Sequence, residues 1–518
     1  MKKTVLLSLF VSLACSLYAE DSTQFGLLSF EDRPSQIHHD SNQSDQNISI
    51  ITIEQNLTKK SFIQITQKPL VKKDSNKIKN KKKAPKPKLV KKPITHKGLQ
   101  LKEAIMIALN KSYKISAARE KVIQAKRKLD EKKAAYLPKV DIAANAGGAY
   151  LKPYQTPEVK FLKSDESLTV NENIYAGGKH RYEIKREEAN VLAAQEKFRD
   201  KVEEETIKII DAYLSLIYQK KAITIERNNM QSLQKVLDIV EKKESAGAAS
   251  KGDLNYIKSQ VENASSALVK AESKYQNAIS FYEYFIGHLD KSTQPIEDNF
   301  TFKLESQDAI LAMMQKHNAK LQIAKAKMQA QKHNLRAQKG KFHPSLDLSI
   351  TAKDKQSGYA SEPQEDRVTG LLSFNYNLYN GGKDKARLLG TKSKISELRY
   401  KLHDALEGSQ YNTKQLYQNI LSSKDTLTHT QNEVAANTKV IDSYWNAFKF
   451  GNQDLQALLL AQRALNRSQQ DLIKEEQAYT NGYFKLMQQT GTLLNILHIE
   501  DLTDANKIIQ NESLHYFY

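Results

Sequence analysis

The sequence predicts a mainly α-helical chain with a small β part, built from two copies of one long helical unit. The first observation is the placement of proline: the 518-residue chain has 11 prolines, and none lies within 158–294 or after 363. Proline breaks helix interiors, and both proline-free stretches are rich in strong helix formers, so both permit very long helices. The second and third observations are an internal repeat and a heptad pattern.

The internal repeat keeps a nearly constant spacing. The segment 173–179, Asn-Ile-Tyr-Ala-Gly-Gly-Lys, recurs at 377–383 as Asn-Leu-Tyr-Asn-Gly-Gly-Lys, an offset of 204 residues. The segment that begins with Gly247 recurs at Gly451 with the same offset, and Pro138 recurs as Pro344 with an offset of 206. Because three separate motifs keep this spacing, we predict that the whole unit is duplicated.

A heptad pattern of apolar residues runs through both predicted long helices. In the first copy it comprises Val202, Ile209, Leu216, Ile223, Met230 and Leu237. The equivalent positions 204 residues later are Leu406, Thr413, Ile420, Leu427, Val434 and Ile441. Only Thr413 among the twelve is polar, and an apolar repeat of seven residues over this length predicts a left-handed coiled coil.

Each copy is expected to contain the same elements in the same order. They are a first helix (103–137; 308–342), two strands (139–150 and 167–176; 345–353 and 368–380), a long helix (180–245; 383–450) and, after a tip, a return helix (253–286; 455–490). At a rise of 1.5 Å per residue, the long helix spans about 100 Å. That length suits a tube or a stalk and is out of proportion for a compact domain.

The N-terminus has the features of a secretory signal, which we place at residues 1–19. Lys2 and Lys3 form the positively charged start, and 5–13 is an apolar segment too short to span a bilayer. Cys15 offers a lipoprotein alternative, but Ser12 stands where an aliphatic residue is expected, so ordinary cleavage is preferred. No later run of 18 apolar residues occurs, so we expect any entry into a membrane to use strands.

The net charge of +20 is concentrated in an N-terminal extension, which we place at 20–98. Within it, residues 59–97 contain fifteen lysines, four prolines and one acidic residue. Such a tract cannot bury a core, so we expect a disordered tether. Attraction to a polyanion, such as the cell wall or lipid headgroups, is the open alternative. Nucleic acid is a poor fit for a secreted chain.

The predicted strands alternate apolar and polar residues. In 371–380, for example, Leu372, Phe374, Tyr376 and Leu378 share one face. A half-buried strand packed on a soluble core gives the same alternation. However, the other segments of the repeats are predicted to form coiled coil, so no core is left for the strands to pack on. Four strands cannot close a barrel in lipid, so membrane strands require several chains to share one barrel. Two chains would supply eight strands, whose barrel is filled by side chains, and three would supply twelve, whose barrel has an open lumen. Transport requires an open lumen, so three chains are favoured.

No catalytic constellation, cofactor motif or set of metal ligands is recognisable in the sequence, so we predict no enzymatic activity. His38 and His39 form an isolated pair. Gly-Gly-Lys at 177–179 and 381–383 lacks the pattern of a phosphate-binding loop and is better explained by tight turns. Trp445 is interpreted as a core residue near a tip, with partner docking as the alternative.

These features together resemble the TolC-like outer membrane efflux protein family over about residues 99–491. The resemblance rests on the ordered duplication of three motifs. They are the strand-to-helix turns with Tyr175, Gly177 and Gly178 and with Tyr379, Gly381 and Gly382, the helix-to-strand prolines Pro138 and Pro344, and the tips with Gly247, Ser250 and Asp253 and with Gly451, Asp454 and Ala457. On this basis the repeats are placed at 99–290 and 303–492, with a C-terminal tail at 493–518.

The resemblance implies a homotrimer in the cell outer membrane with a large periplasmic part. Twelve strands would form a shared transmembrane β-barrel, and the coiled-coil helices would form a periplasmic α-barrel. Its far end would meet a periplasmic adaptor (a membrane fusion protein) and an inner-membrane ABC or proton-driven transporter, which would supply the energy. The expected function is therefore an export duct without cofactors, for type I protein secretion or for small-molecule efflux.

In the family the tips close the tube, and aspartates ring the constriction. The gate positions correspond here to neutral residues, namely Ala457 and Leu460 for the aspartates, Phe448 for their aromatic partner and Gln453 for their basic partner. Asp253 keeps the expected acid in the first copy. We hypothesise that this constriction is apolar, formed by Leu460 and by packing around Phe448, or that Asp454 supplies a displaced acidic ring.

Two questions about function stay open at this point. The tip sequence Phe-Lys-Phe-Gly-Asn-Gln-Asp-Leu at 448–455 is somewhat closer to the protein-secretion branch of the family than to drug or metal efflux. The alternative to a channel is a soluble periplasmic coiled-coil scaffold or adaptor anchored to the cell wall, which would leave the alternating strands unexplained.

Overall fold

The computed structural model describes residues 98–152, 154, 158–290, 293–295, 302–358 and 364–499. The predicted signal peptide with Cys15, the pair His38 and His39, the lysine-rich tract 59–97 and the tail after 499 lie outside the described residues. We refer below to residues 98–295 as the first half and to residues 302–499 as the second half.

Both halves contain the same elements, and the predicted fold class is confirmed. The first half has α1 (Leu101–Lys111), α2 (Tyr113–Lys133), a 3-10 turn (Ala134–Tyr136), β1 (Lys139–Leu151), β2 (Val159–Ala176), α3 (Lys179–Ser245) and α4 (Lys251–Phe285). The second half has α5 (Gln307–His317), α6 (Ala319–Lys339), a 3-10 turn (Gly340–Phe342), β3 (Ser345–Ser357), β4 (Glu365–Asn375), α7 (Lys383–Lys449), α8 (Leu455–Thr490) and α9 (Leu493–Ile496). The long helices α3 and α7 have 67 residues each.

The prediction of one continuous first helix in each half was wrong. Ser112 separates α1 from α2, and its hydroxyl accepts a hydrogen bond from the backbone N–H of Ile115 at 3.4 Å. Asn318 separates α5 from α6, and its Oδ1 accepts one from the backbone N–H of Leu321 at 3.1 Å. Both side chains cap a new helix N-terminus, which a search for proline and glycine breaks does not detect.

Four strand boundaries also differ from the prediction: β3 ends at Ser357 instead of 353, β4 begins at Glu365 instead of 368, and the start of β2 and the end of β4 differ as well. β2 begins at Val159 instead of 167, because its polar first part continues to pair with β1 as far as Leu151. β4 ends at Asn375 instead of 380, where its partner β3 begins with Ser345. Pro344 precedes Ser345 and has no N–H to donate, so the ladder stops there.

The four strands form one antiparallel sheet in the order β1-β2-β3-β4. One face carries apolar rows across the sheet, such as Ile142, Leu168, Ala352 and Val368. The opposite face carries polar rows, such as Asp141, Thr169, Thr351 and Thr369. The alternation predicted from the sequence is therefore real, and the outer strands β1 and β4 each keep an open edge among the described residues.

Helix α3 lies at the centre of the helical part. It packs against α2 and α4 of its own half and against α6 and α8 of the other half. The heptad residues of α3 are buried except for Met230, which is partly buried at the edge of an apolar cluster. By contrast, α7 packs against α5, α6 and α8, all of its own half. None of the described helices is long and apolar enough to cross a bilayer.

Candidate functional site: the two helical tips

The tips are the turns that join α3 to α4 and α7 to α8, and both have the same backbone geometry. Gly247 and Gly451 adopt positive φ angles of 76° and 80°. In the first tip the N–H groups of Gly247 and Ala248 donate to the carbonyls of Glu244 and Lys243. The second tip repeats this pair of bonds one-for-one. This arrangement ends a helix with a left-handed residue, which glycine adopts without strain.

The helices that leave the tips begin differently in the two halves. Ser250 Oγ accepts the backbone N–H of Asp253 at 3.0 Å, and an Asp253 carboxylate oxygen accepts the backbone N–H of Ser250 at 3.2 Å. In the second tip Asp454 caps α8 alone, accepting the N–H of Gln456 at 2.6 Å, because Ala457 has no side chain to return the bond. Both acids at the tips are therefore occupied in starting a helix.

An apolar cluster connects the tips of the two halves. It consists of Leu233, Val236, Leu237 and Val240 from α3, Ile257 and Ala264 from α4, Phe448 from α7, and Leu455, Leu458 and Leu459 from α8. Tyr444 and Trp445 are partly buried against it, as the interpretation of Trp445 as a packing residue predicts. Because the members come from both hairpins, the tips of one chain are held to each other.

Phe448 is the buried aromatic side chain of this cluster, and Lys243 from the other half lies over it. The Lys243 Nζ is 4.3 Å from the centre of the Phe448 ring and donates a hydrogen bond of 3.1 Å to the Phe448 carbonyl oxygen. This ammonium group thus satisfies a carbonyl at the C-terminus of α7 and contacts the face of an aromatic ring. The sequence reasoning missed Lys243, although a lysine in the last turn of a helix is a recognisable capping signal.

The remaining predicted gate residues do not join the cluster. Leu460 is 59% exposed, whereas its neighbours Leu458 and Leu459 are each 1% exposed. Phe450, which the sequence reasoning did not single out, is 81% exposed beside Gly451. Gln453 and Ala457 are half-buried, and Asp454 is exposed. The structure therefore separates a buried packing group around Phe448 from exposed apolar side chains at Phe450 and Leu460.

The strand-to-helix turns hold the sheet on the helices. Gly177, Gly178, Gly381 and Gly382 all have positive φ angles. A Cβ at Gly177 would overlap the carbonyl oxygen of Gly340, in the 3-10 turn that precedes Pro344, whereas a Cβ at Gly381 would meet no atom within 4 Å. Tyr175 and Tyr379 are exposed, and Pro138 and Pro344 lie between the two 3-10 turns and the strands β1 and β3.

A polar cluster that the sequence did not predict lies on α3, where the ends of α5 and α8 meet this helix. Arg199 donates to the carbonyls of His317 at 2.6 Å and Gly491 at 3.3 Å. Glu203 is 2% exposed, and its Oε1 has no hydrogen-bond partner. Burial raises the pKa of Glu203 to about 8, although Arg199 nearby opposes the shift. No sequence motif marks a glutamate inside a heptad helix as buried.

Comparison with protein families gives one match, and it spans both halves. Residues 104–280 and 310–492 match the family model described as outer membrane efflux protein. A search of curated protein sequences gave no significant match.

Solved structures of outer-membrane channels share this fold. The chain is similar to CmeC of Campylobacter jejuni, with 14% identity, 79% of this chain and 90% of that chain covered, and a TM-score of 0.65. It is similar to VceC of Vibrio cholerae, with 16% identity, 76% and 96% covered, and a TM-score of 0.65. It is also similar to CusC, with 17% identity, 76% and 92% covered, and a TM-score of 0.68.

Proposed function

The chain belongs to the outer membrane efflux protein family, and we propose that it is the outer-membrane subunit of a passive export duct. The observation that carries this proposal is the match of both halves to the family model, joined to a sheet with one apolar face. The same observation favours the channel over a soluble periplasmic scaffold, which would have no use for such a sheet.

The sheet is the part that enters the outer membrane in this proposal. Its apolar rows would face lipid and its threonine rows would face the lumen. The open edges of β1 and β4 must be paired in lipid, because an unpaired backbone group is costly there. Three chains, with twelve strands, satisfy this requirement and leave an open lumen.

The helices stand in the periplasm, with the tips directed away from the membrane. A periplasmic adaptor and an inner-membrane transporter, ABC-type or proton-driven, meet the tips and supply the energy. Phe450 and Trp445 are the apolar side chains of the second tip that such a partner would contact. The fifteen lysines of 59–97 would attract the anionic cell wall in this proposal.

The constriction is apolar in this proposal, with Leu460 as its exposed lining residue and Phe448 as its support. We assign Asp454 to capping α8, because one of its carboxylate oxygens accepts the Gln456 N–H. We expect weak block of bilayer conductance by multivalent cations, no change with Asp454→Asn, and higher conductance with Leu460→Ser. Strong block that Asp454→Asn removes would replace this proposal by the acidic-ring alternative.

Membrane fractionation tests the function itself. We expect a heat-modifiable oligomer in the outer-membrane fraction that resists extraction by high salt. Release of the chain by high salt would contradict a membrane channel and restore the scaffold.

The substrate class follows from the transporter partner. We propose unfolded polypeptides, because the second tip resembles the protein-secretion branch. Deletion of the gene is expected to abolish secretion of a protein co-expressed with an ABC exporter and to leave drug and metal sensitivity unchanged. The reverse pattern would assign the channel to small-molecule efflux.

A further inference from the structure

Basic side chains are concentrated on one face of the sheet, at the end farthest from the helices. Side chains two positions apart on a strand lie on the same face of a sheet. Lys353 and Arg367 pair with each other two positions beyond the threonine row, so they share its face. Lys355 on β3 and Lys163 on β2 follow on the same face. We call these four residues the basic belt; Lys355 is half-buried, and the other three are exposed.

Two acidic residues share this face, and each is paired with a member of the basic belt. Asp165 Oδ1 lies 3.5 Å from Lys353 Nζ, and Glu365 forms an ion pair with Arg367. The other two members of the belt have no ion-pair partner among the described residues. Four cations and two carboxylates therefore leave this end of the face with a net charge of +2 per chain.

The opposite face carries acidic residues at the same level of the sheet. Glu166, Asp354 and Asp366 lie in one row across the strands, directly beyond the apolar row that contains Ala352 and Val368. Charged side chains on the lipid side of a membrane strand are costly at the midplane and tolerated near the interface. In the proposed duct, this end of the sheet therefore lies at the outer surface of the bilayer, with the basic belt on its lumen side.

We infer that the basic belt forms a ring of fixed positive charge around the outer mouth of the duct and makes this mouth selective for anions. The inference rests on the proposed function for the shared barrel, and adds the sign of the charge that the mouth favours. Three chains would give the ring a net charge of +6. A concave wall of one sign raises the local concentration of counter-ions, and rings of Lys and Arg favour anions in pores.

The ring also bears on the polypeptide substrate proposed above. As an unfolded chain leaves the barrel, the ring attracts segments rich in carboxylates and repels segments rich in lysine. The apolar constriction proposed at Leu460 has no charge with which to make this distinction. Acidic polypeptide segments are therefore the class of substrate that fits the mouth best.

Reversal potentials of the full-length channel in planar bilayers, measured across a potassium chloride gradient, test the sign of the selectivity. At about 10 mM salt, where the Debye length is about 30 Å, we expect chloride to be about threefold more permeant than potassium. This preference should disappear near 1 M salt, where the Debye length is only about 3 Å.

Substitutions of opposite sign separate an effect of charge from an effect on structure. Lys355→Gln removes one of the two net charges and should lower the chloride preference about 1.7-fold, whereas Glu365→Gln adds one and should raise it by a similar factor. Lys163→Gln should also lower it. Lys160→Gln is the matched control, because this exposed lysine lies on the same strand but on the opposite face, and it should leave the preference unchanged.

Block by short peptides tests the expected substrate class. At low salt, penta-glutamate should reduce the current at a lower concentration than penta-lysine does. The double variant Lys163→Gln with Lys355→Gln neutralises the net charge of the belt, so it should abolish this difference.

The outcomes distinguish the basic belt from the channel itself. A conducting channel that prefers potassium, that blocks equally with both peptides, or whose preference shifts in the same direction in Lys355→Gln and Glu365→Gln overturns the role of the belt and leaves the channel standing. Absence of an outer-membrane oligomer and of any conductance in the unmodified chain overturns both.

Discussion

Helices α3 and α7 have the same length and occupy equivalent places in the two halves, yet they differ greatly in burial. Buried residues are spread along the whole of α3, from Glu187 to Val240, whereas α7 has only a few, mostly Thr and Ser. The cause is position: α3 is covered by both halves, whereas α7 is covered mainly by its own half and meets the first half at its tip, around Phe448. Equal sequence patterns thus form a core within the chain in one case and a largely exposed surface in the other, which the proposed oligomer would cover.

The difference in burial between α3 and α7 also indicates which contacts contribute most to the stability of the single chain. The centre of the helical part is assembled by contacts inside one chain, so it can form before any oligomer. The exposed apolar side chains of α7 would become buried only in the proposed oligomer. Substitutions at equivalent positions should therefore separate folding from assembly, and the sequence provides several matched pairs for this purpose.

The largest expected effect separates Val236 from Val440, which are the same residue type at equivalent positions. Val236 is 3% exposed and Val440 is 40% exposed. Val236→Asp buries an unpaired charge in the tip cluster and should cost about 4 kcal/mol of unfolding free energy. Val440→Asp should cost less than about 1 kcal/mol in the monomer while weakening the oligomer. Urea unfolding and native gels measure the two effects, and equal losses of stability would break the comparison.

A similar pair tests the buried acid of α3. Glu203 has its pKa raised to about 8 by burial, whereas its equivalent Glu407 is exposed. The folded state therefore binds the Glu203 proton more tightly than the unfolded state, whose pKa is near 4.5. The unfolding free energy should fall as the pH rises from about 4.5 to about 8.

Glu203→Gln should remove this pH dependence and stabilise the protein by about 2 kcal/mol at pH 8, since a neutral side chain need not be ionised in the core. Glu407→Gln should leave both the stability and its pH dependence unchanged. Thermal unfolding followed by circular dichroism from pH 5 to pH 9 measures both variants. A destabilising Glu203→Gln would show that the carboxylate is ionised and paired.

The duplicated fold could be predicted because its signals are periodic. The long helices and the return helices follow from proline placement and the heptads at Val202 and its equivalents, and their predicted ends agree with the structure within about two residues. The breaks at Ser112 and Asn318 were missed because a polar side chain that caps a helix is indistinguishable by periodicity from an exposed one.

The candidate site was harder to predict because its chemistry depends on contacts between the halves. The sequence drew attention to Asp253 and Asp454, and the structure uses both to begin helices. Lys243 contacts Phe448, 205 positions away, and Arg199 beside Glu203 contacts His317 and Gly491, 118 and 292 positions away. No local pattern can report such a contact, so they became visible only in the fold.

A smaller effect concerns the contact of Lys243 with Phe448. The equivalent position on α7 is Ala447, so the end of α7 offers no corresponding ammonium group to the next chain. Lys243→Met should remove the hydrogen bond and the ring contact, worth about 1.5 kcal/mol together, and loosen the two tips. We expect a higher bilayer conductance, with the exposed Lys242→Met as the control. Unchanged conductance would mean that the apolar cluster alone holds the tips.

The smallest expected effect distinguishes the two helix starts. Ser250→Ala removes both bonds of the Ser250 hydroxyl, the one it accepts from the Asp253 N–H and the one it donates to the Asp253 carboxylate, so it should cost about 1.5 kcal/mol locally. Asp454→Ala removes a single cap worth about 1 kcal/mol. Asp454→Asn keeps the cap oxygen and should be nearly silent, because the contribution of Asp454 here is an acceptor and not a charge. Amide hydrogen exchange in the first turns of α4 and α8 measures these local losses. If Asp454→Asn loosened α8 as much as Asp454→Ala, the negative charge would be stabilising the N-terminus of α8, and the second tip would depend on electrostatics where the first depends on its reciprocal hydrogen bonds.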